Sequence, residues 1–197
     1  MPRLKTLLTI LLLLLLAACS HSKAQWLLTD VRGHLPDLQF HLVNDRGQSV
    51  TGASYRGKVT LLYFGYTHCP DVCPTTLAHL AVALQNLGPL AKDVRVLFVS
   101  VDPQRDTPRV LHAYVRAFGP EIVGLSGTPS AIARVAKRYR VAYSYGPPTA
   151  DGSYEVNHSS AIFIFDNRGR ASLLATQQST VAQLDHDIGQ ILQEDPR

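Results

Sequence analysis

Two cysteines four residues apart, Cys69 and Cys73, are the side chains best suited to chemistry in this chain. They follow the apolar run Val59–Phe64, which is typical of a buried strand. Residues i and i+4 of a helix share a face, with Cβ atoms roughly 5 to 6 Å apart, so both sulfurs can reach one metal ion or each other. The pair predicts a metal or redox site where a strand turns into a helix, and the helix dipole there should lower the pKa of both thiols.

Several other functions are compatible with the same pair. A structural disulfide would suit an oxidising compartment, but so short a loop gives the least stabilisation, and Pro70 and Pro74 are typical of a shaped turn and a first helical residue. A thiol-disulfide oxidoreductase is the main rival, although the common thioredoxin-type motif has two intervening residues rather than three. A thiol peroxidase is a weaker alternative, because nothing else in the sequence resembles a peroxidatic cysteine site. A structural zinc module usually has four ligands, and only three are evident.

A third ligand would identify the kind of metal, because thiolates favour Cu(I), zinc or iron–sulfur centres and imidazole also suits Cu(II) and zinc. His158 stands at the entrance to a predicted strand, 161–165, after a loop, 146–155, that could fold back over the cysteines. His68 is a rival beside Cys69, but adjacent residues do not face each other on a helix. Spacing alone leaves open whether His158 is a ligand or a hydrogen-bonded structural residue.

The N-terminus has the organisation of an export signal. Arg3 and Lys5 are basic, and an almost unbroken apolar run, Leu7–Leu16, follows them. The run is shorter than the roughly 20 residues of a spanning helix, although an uncleaved anchor would look similar. We therefore expect residues 1–18 to be a lipoprotein signal peptide.

The end of this signal, Leu16-Ala-Ala-Cys19, resembles the bacterial lipobox. It predicts that Cys19 is lipidated, that residues 19–34 form a membrane-proximal tether, and that 35–197 form one domain. Such a protein would be a bacterial cell membrane lipoprotein with its domain on the extracytoplasmic, periplasmic side. The net charge of +4 is spread thinly, which argues against a nucleic-acid partner.

Hydrophobic periodicity predicts an α/β protein with a thioredoxin-like fold: a central, mostly parallel sheet with flanking helices and an N-terminal β-hairpin. Thr107 and Thr128 are predicted N-caps, each followed by a proline in the first helical position. The hairpin is expected over 39–51, helices over 75–87, 108–118, 129–139 and 180–192, and strands over 59–64, 94–101, 122–125, 161–165 and 172–175.

Four blocks of the sequence resemble the Sco (SenC) family of copper-binding proteins. Leu62–Leu77 contains both cysteines and resembles the signature of that family; the other blocks are 100–108, 124–139 and 157–159. They follow the family's order and extend over about 35–192. The resemblance implies a thioredoxin-like domain that binds copper, as Cu(I) and Cu(II), through Cys69, Cys73 and His158.

The resemblance also implies a role and partners. Family members deliver copper to the CuA centre of cytochrome c oxidase subunit II, or reduce its cysteines, and work with a copper donor chaperone on the outer face of the membrane. A Cys69–Cys73 disulfide would abolish copper binding and gate the site by redox state. Asn157 departs from the Asp that many members carry. Asp71 and Asp102 are candidates for charge near the site.

Overall fold

The structure is a computed structural model and describes residues 25–194. The expected signal peptide, 1–18, and the expected lipidated residue, Cys19, lie outside this range. The strands are β1 (Thr29–Asp30), β2 (His41–Asn44), β3 (Ser49–Thr51), β4 (Val59–Gly65), β5 (Val94–Ser100), β6 (Ile122–Ser126), β7 (Tyr143–Tyr145), β8 (Val156–His158), β9 (Ile162–Phe165) and β10 (Ala171–Ala175). The helices are α1 (Val72–Leu87), α2 (Pro108–Arg116), α3 (Pro129–Arg138) and α4 (Val181–Glu194).

Within residues 25–194, eight strands form one sheet in the order β1-β10-β9-β4-β5-β6-β2-β3. In this sheet the β4–β5 and β5–β6 pairs are parallel, while β1–β10, β10–β9, β4–β9, β2–β6 and β2–β3 are antiparallel. The α/β architecture and the hairpin β2–β3 are confirmed, but the prediction of a mostly parallel sheet is wrong. The reason is that β9, a buried strand with a continuous apolar sequence, runs antiparallel to β4.

The core is built on β4 and β5. All seven residues of β4 are buried, as are six of the seven in β5. A strand covered on both faces has a continuous apolar sequence instead of an alternating one. These two strands therefore form the centre of the core. The segment with both cysteines, 66–73, follows the carboxyl end of β4.

Four helix starts were predicted from sequence, and those of α2 and α3 lie where expected. The Thr107 hydroxyl accepts a hydrogen bond from the Val110 amide at 3.3 Å, and the Thr128 hydroxyl accepts one from Ala131 at 3.2 Å. Helix α1 begins at Val72 and not at residue 75. Pro74 therefore lies within the first turn, where a missing amide proton costs nothing because that amide has no partner in the helix.

The domain begins within the segment expected to be a tether. Strand β1 pairs with β10, and the amides of Leu27 and Leu28 donate to the fully buried Asp187 carboxylate at 3.0 and 2.8 Å. Folded structure is thus present before residue 35. No helix among residues 25–194 is both long enough and apolar enough to span a bilayer.

Candidate metal centre

The two cysteines lie on either side of the start of α1. Cys69 closes a turn in which its amide donates to the Tyr66 carbonyl at 3.3 Å, and Cys73 is the second residue of the helix. Cys69 is partly buried, Cys73 is fully buried, and both are free thiols. The Cys73 amide lies 3.4 Å from Cys69 Sγ, so the first turn of the helix directs a backbone N–H at the sulfur of Cys69.

His158 reaches this pair from a part of the chain 85 residues away. It ends β8, which pairs with β7 in a separate two-stranded sheet that the sequence did not predict. Its Nε2 lies 3.3 Å from Cys73 Sγ, and its Nδ1 donates to the Ser159 carbonyl at 3.0 Å. Because Nδ1 carries the proton, Nε2 presents its lone pair to the sulfur.

Aromatic rings hold the imidazole in place. The centroids of Tyr63 and Tyr66 lie 6.2 and 6.0 Å from that of His158, and both contacts are edge-to-face. Burial lowers the pKa of His158, which keeps the ring neutral, as a metal ligand must be.

Cys69, Cys73 and His158 form the one group of three or more candidate metal ligands among residues 25–194, with ligand atoms all within 4.8 Å of one another. Two atoms bound to the same ion at roughly 2.0 to 2.3 Å cannot be more than about 4.6 Å apart, so an ion fits with only small adjustments. Two sulfurs and one imidazole nitrogen are ligands suited to Cu(I), Cu(II) or zinc.

The prediction that both thiols have a lowered pKa is wrong for Cys73, because this thiol is buried. The sequence predicted that the helix start would lower the pKa of both, but burial raises the pKa of Cys73 to about 12. Desolvation of the thiolate outweighs the favourable helix dipole. Cys73 is therefore a protonated thiol at neutral pH, and a metal that binds there must displace its proton.

The absence of a side chain at Gly65 makes room for the Cys73 sulfur. A Cβ at this position would lie 2.8 Å from Cys73 Sγ and 2.6 Å from Cε2 of Phe98. This role of Gly65 was not predicted from the sequence. The signal was a glycine directly after a buried apolar strand, which often marks a close approach of another group to the backbone.

A cluster around Arg105 fixes the hairpin β7–β8 that carries His158. The Arg105 guanidinium lies 3.6 Å from the ring centroid of Tyr154 and 5.8 Å from that of Tyr66. Its Nε donates to the fully buried Asp102, which also accepts from the Tyr154 hydroxyl at 2.9 Å. The Tyr145 hydroxyl adds a bond to the Val101 carbonyl at 2.7 Å. Asp102 thus anchors the hairpin rather than supplying an exposed charge, and the sequence did not indicate the role of Arg105.

The other candidates lie outside the ligand cluster. His68 belongs to the neighbouring turn, with Nδ1 3.1 Å from the Thr67 hydroxyl. Asp71 is exposed at the N-cap position of α1 and its carboxylate accepts from the Thr75 hydroxyl at 3.4 Å. Of the two histidines that the sequence left as rivals, only His158 therefore meets the cysteines.

Comparison with known proteins identifies the family of this chain. The profile of the SCO1/SenC family matches residues 32–193. The mitochondrial SCO2 homolog of Bos taurus is 43% identical over 132 residues, which are 66% of this chain and 50% of that protein. The chain thus spans about half the length of this relative.

Solved structures give the same result. Arabidopsis thaliana ScoI, crystallised with copper bound, superposes with a TM-score of 0.75 at 36% identity, covering 81% of this chain and 99% of that one. Bradyrhizobium japonicum ScoI with copper bound has a TM-score of 0.73 at 40% identity, covering 79% and 99%. Copper is the metal in both, as predicted from the sequence. The chain belongs to the SCO1/SenC family.

Proposed function

We propose that this protein is a copper metallochaperone that serves the assembly of the CuA centre of cytochrome c oxidase. Its ligands would be Cys69, Cys73 and His158. The observation that carries the proposal is the approach of all three ligand atoms to within 4.8 Å. Solved structures of relatives with copper bound support the choice of metal.

Bound copper would be released to its recipient by ligand exchange. Two thiolates and one imidazole suit three-coordinate Cu(I), and an added weak ligand would allow Cu(II). The recipient would be the CuA site of oxidase subunit II, and a separate chaperone would supply the metal. We further propose that Cys19 is lipidated and holds the domain at the extracytoplasmic, periplasmic face of a bacterial membrane.

Redox state would gate this site. If Cys69 and Cys73 form a disulfide, two sulfur ligands are lost together and copper affinity collapses. We expect the chain to bind about one Cu(I) after anaerobic reduction and none after diamide oxidation, with dithiothreitol restoring the site. Retention of copper by the oxidised chain would contradict the gate.

A ligand series tests the metal site itself. The full chain, purified in detergent, is loaded anaerobically with Cu(I), and the affinity is measured by competition with the chelator bathocuproine disulfonate. Cys69→Ser, Cys73→Ser and His158→Ala should each lose at least about 100-fold in affinity, since removing a ligand costs more than the 10- to 100-fold of a supporting residue. The control is His79→Ala, an exposed position on α1. If His158→Ala binds as tightly as the unmodified chain, the three-ligand site is wrong.

A second candidate is a thiol-disulfide oxidoreductase that reduces the cysteines of the oxidase copper site. The observation in its favour is that both thiols are free and close together, with the backbone amide of Cys73 3.4 Å from Cys69 Sγ. Reduction of a mixed disulfide of a CuA-site peptide, followed without copper, tests it. Metal-free turnover that survives His158→Ala but not Cys69→Ser would favour the reductase.

A further inference from the structure

His68 lies next to a ligand of the proposed site, but that site does not use its imidazole. It directly precedes Cys69, and its side chain is 52% exposed. Its ring does not join the ligand cluster. Its hydrogen bonds nevertheless prepare it as a ligand.

A buried carboxylate sets the tautomer of His68. Asp106 is fully buried and accepts from the Thr67 amide at 3.0 Å, the Thr67 hydroxyl at 2.6 Å and the Ser100 hydroxyl at 2.6 Å. A hydroxyl has one proton, and Thr67 donates it to Asp106. The bond of 3.1 Å between the Thr67 hydroxyl and His68 Nδ1 must then be donated by the histidine. The neutral ring therefore carries its proton on Nδ1 and presents a bare Nε2.

The same tautomer occurs at His158, whose Nδ1 donates to the Ser159 carbonyl at 3.0 Å. Two imidazoles are thus prepared in the same way, one inside the cluster and one outside it. In both, the second nitrogen is held by a fixed acceptor, as is usual for metal-ligating histidines.

His68 also lies at an opening next to the cluster. It lines a cavity of about 580 Å³ together with Tyr66, Pro70, Arg105, Tyr154 and Asn157. Pro70 follows Cys69 in the chain and Asn157 precedes His158, so the cavity lies beside both ligand segments. Cys69 is the partly exposed cysteine and Cys73 the fully buried one, so the cluster is accessible from the Cys69 side.

We propose that His68 Nε2 is a handover ligand for Cu(I), a step that rests on the proposed copper site. During release, a bond forms between Nε2 and copper while the bond to Cys69 Sγ breaks. The thiolate keeps its electron pair and takes a proton from water. Copper stays Cu(I), no electron is transferred, and the ion remains bound to protein while an acceptor approaches through the cavity.

Affinity and transfer rate separate this role from that of a permanent ligand. The full chain in detergent, loaded with one Cu(I), is mixed with excess bathocuproine disulfonate in a stopped-flow spectrometer. We expect His68→Ala to keep the equilibrium affinity within about threefold while its transfer rate falls about tenfold or more. His79→Ala, an exposed histidine on α1, should change neither value.

The hydroxyl at position 67 gives a second test that does not remove the imidazole. Thr67→Ser keeps the acceptor for His68 Nδ1 and should transfer at the unmodified rate, whereas Thr67→Val should be slower. Unfolding in urea identifies any loss caused by the fold, because Thr67 also donates to Asp106.

The outcomes distinguish the handover from the copper site. A His68→Ala rate within twofold of the unmodified chain, with His158→Ala still losing affinity, would overturn the handover and keep the three-ligand site. A large loss of affinity in His68→Ala would make it a permanent ligand and would also overturn the handover. If the unmodified chain holds no copper, both proposals fail.

Discussion

Replacing Gly65 with alanine should damage the metal site without touching a ligand. The new Cβ would lie 2.8 Å from Cys73 Sγ, which is 0.6 Å inside the 3.4 Å of an ordinary contact. It would also lie 2.6 Å from Cε2 of Phe98. That ring is fully buried and packs against Tyr63 and Tyr114, with centroids 6.0 and 5.5 Å away. The sulfur, at the end of a short side chain, has to move.

Two effects of different size follow. Overpacking a filled core costs about 1 to 3 kcal/mol of unfolding free energy. Ligand distances in a metal site hold to within about 0.2 Å, so a displacement of 0.6 Å is large for the site. We expect Cu(I) affinity to fall roughly 10- to 100-fold, the range found when a supporting residue is lost.

Urea unfolding of the metal-free chain and chelator competition for Cu(I) measure the two effects separately. The matched control is Gly189→Ala in α4, where the added Cβ would meet Leu87 at an ordinary 3.4 Å. Alanine is the better helix former by about 1 kcal/mol, so this variant should be no less stable and should bind copper normally. If Gly65→Ala is destabilised yet binds copper as tightly as the unmodified chain, Phe98 has yielded and the contact does not position Cys73. If neither value changes, the reasoning about this contact is refuted.

Three further predictions concern the surroundings of the site. Arg105→Gln should weaken Cu(I) binding about tenfold, measured by chelator competition, because the hairpin that carries His158 loses its contacts with the Arg105 guanidinium. Arg105→Lys should recover only part of this affinity because lysine lacks the planar guanidinium. Asp187→Asn should cost about 1 to 3 kcal/mol of unfolding free energy in urea, since the carboxylate accepts two backbone amides, with copper affinity unchanged. Iodoacetamide should modify Cys69 at least about tenfold faster than Cys73 by mass spectrometry, because Cys73 is fully buried with its pKa raised to about 12.

Each of these has an outcome that would contradict it. Full copper affinity in Arg105→Gln would mean that the hairpin β7–β8 keeps its position without the contacts of Arg105. Loss of copper binding in a folded Asp187→Asn chain would connect the N-terminal segment to the site in a way that the structure does not explain. Equal alkylation of both cysteines would mean that α1 opens at its first turn on the timescale of the reaction.

Local sequence was enough to predict the cysteine site and most of the elements. The positions of the Thr-Pro helix starts and of the hairpin expected over 39–51 depend on dihedral angles and hydrogen bonds within a few residues, and both are confirmed. The strand before Cys69 was equally clear, because five of the six residues from 59 to 64 are apolar or aromatic, and a run of that length indicates a buried strand.

Strand direction could not be predicted in the same way. A buried strand has a continuous apolar sequence whether its neighbour is parallel or antiparallel, so the sequence of β9 did not reveal its direction beside β4. The short strands β7 and β8 were missed because three residues carry too little periodicity to distinguish a strand from a loop.

Two thiols four residues apart at a strand-to-helix turn can be recognised from the sequence, because that spacing is a local property of the chain. Tertiary structure is needed to establish that His158, and not His68, faces Cys73, since the approach depends on the Arg105 cluster and on a hairpin far away in sequence. It also decided the sign of the pKa shift at Cys73. Desolvation depends on every group that packs around the sulfur, and the cysteine spacing carries no record of those neighbours.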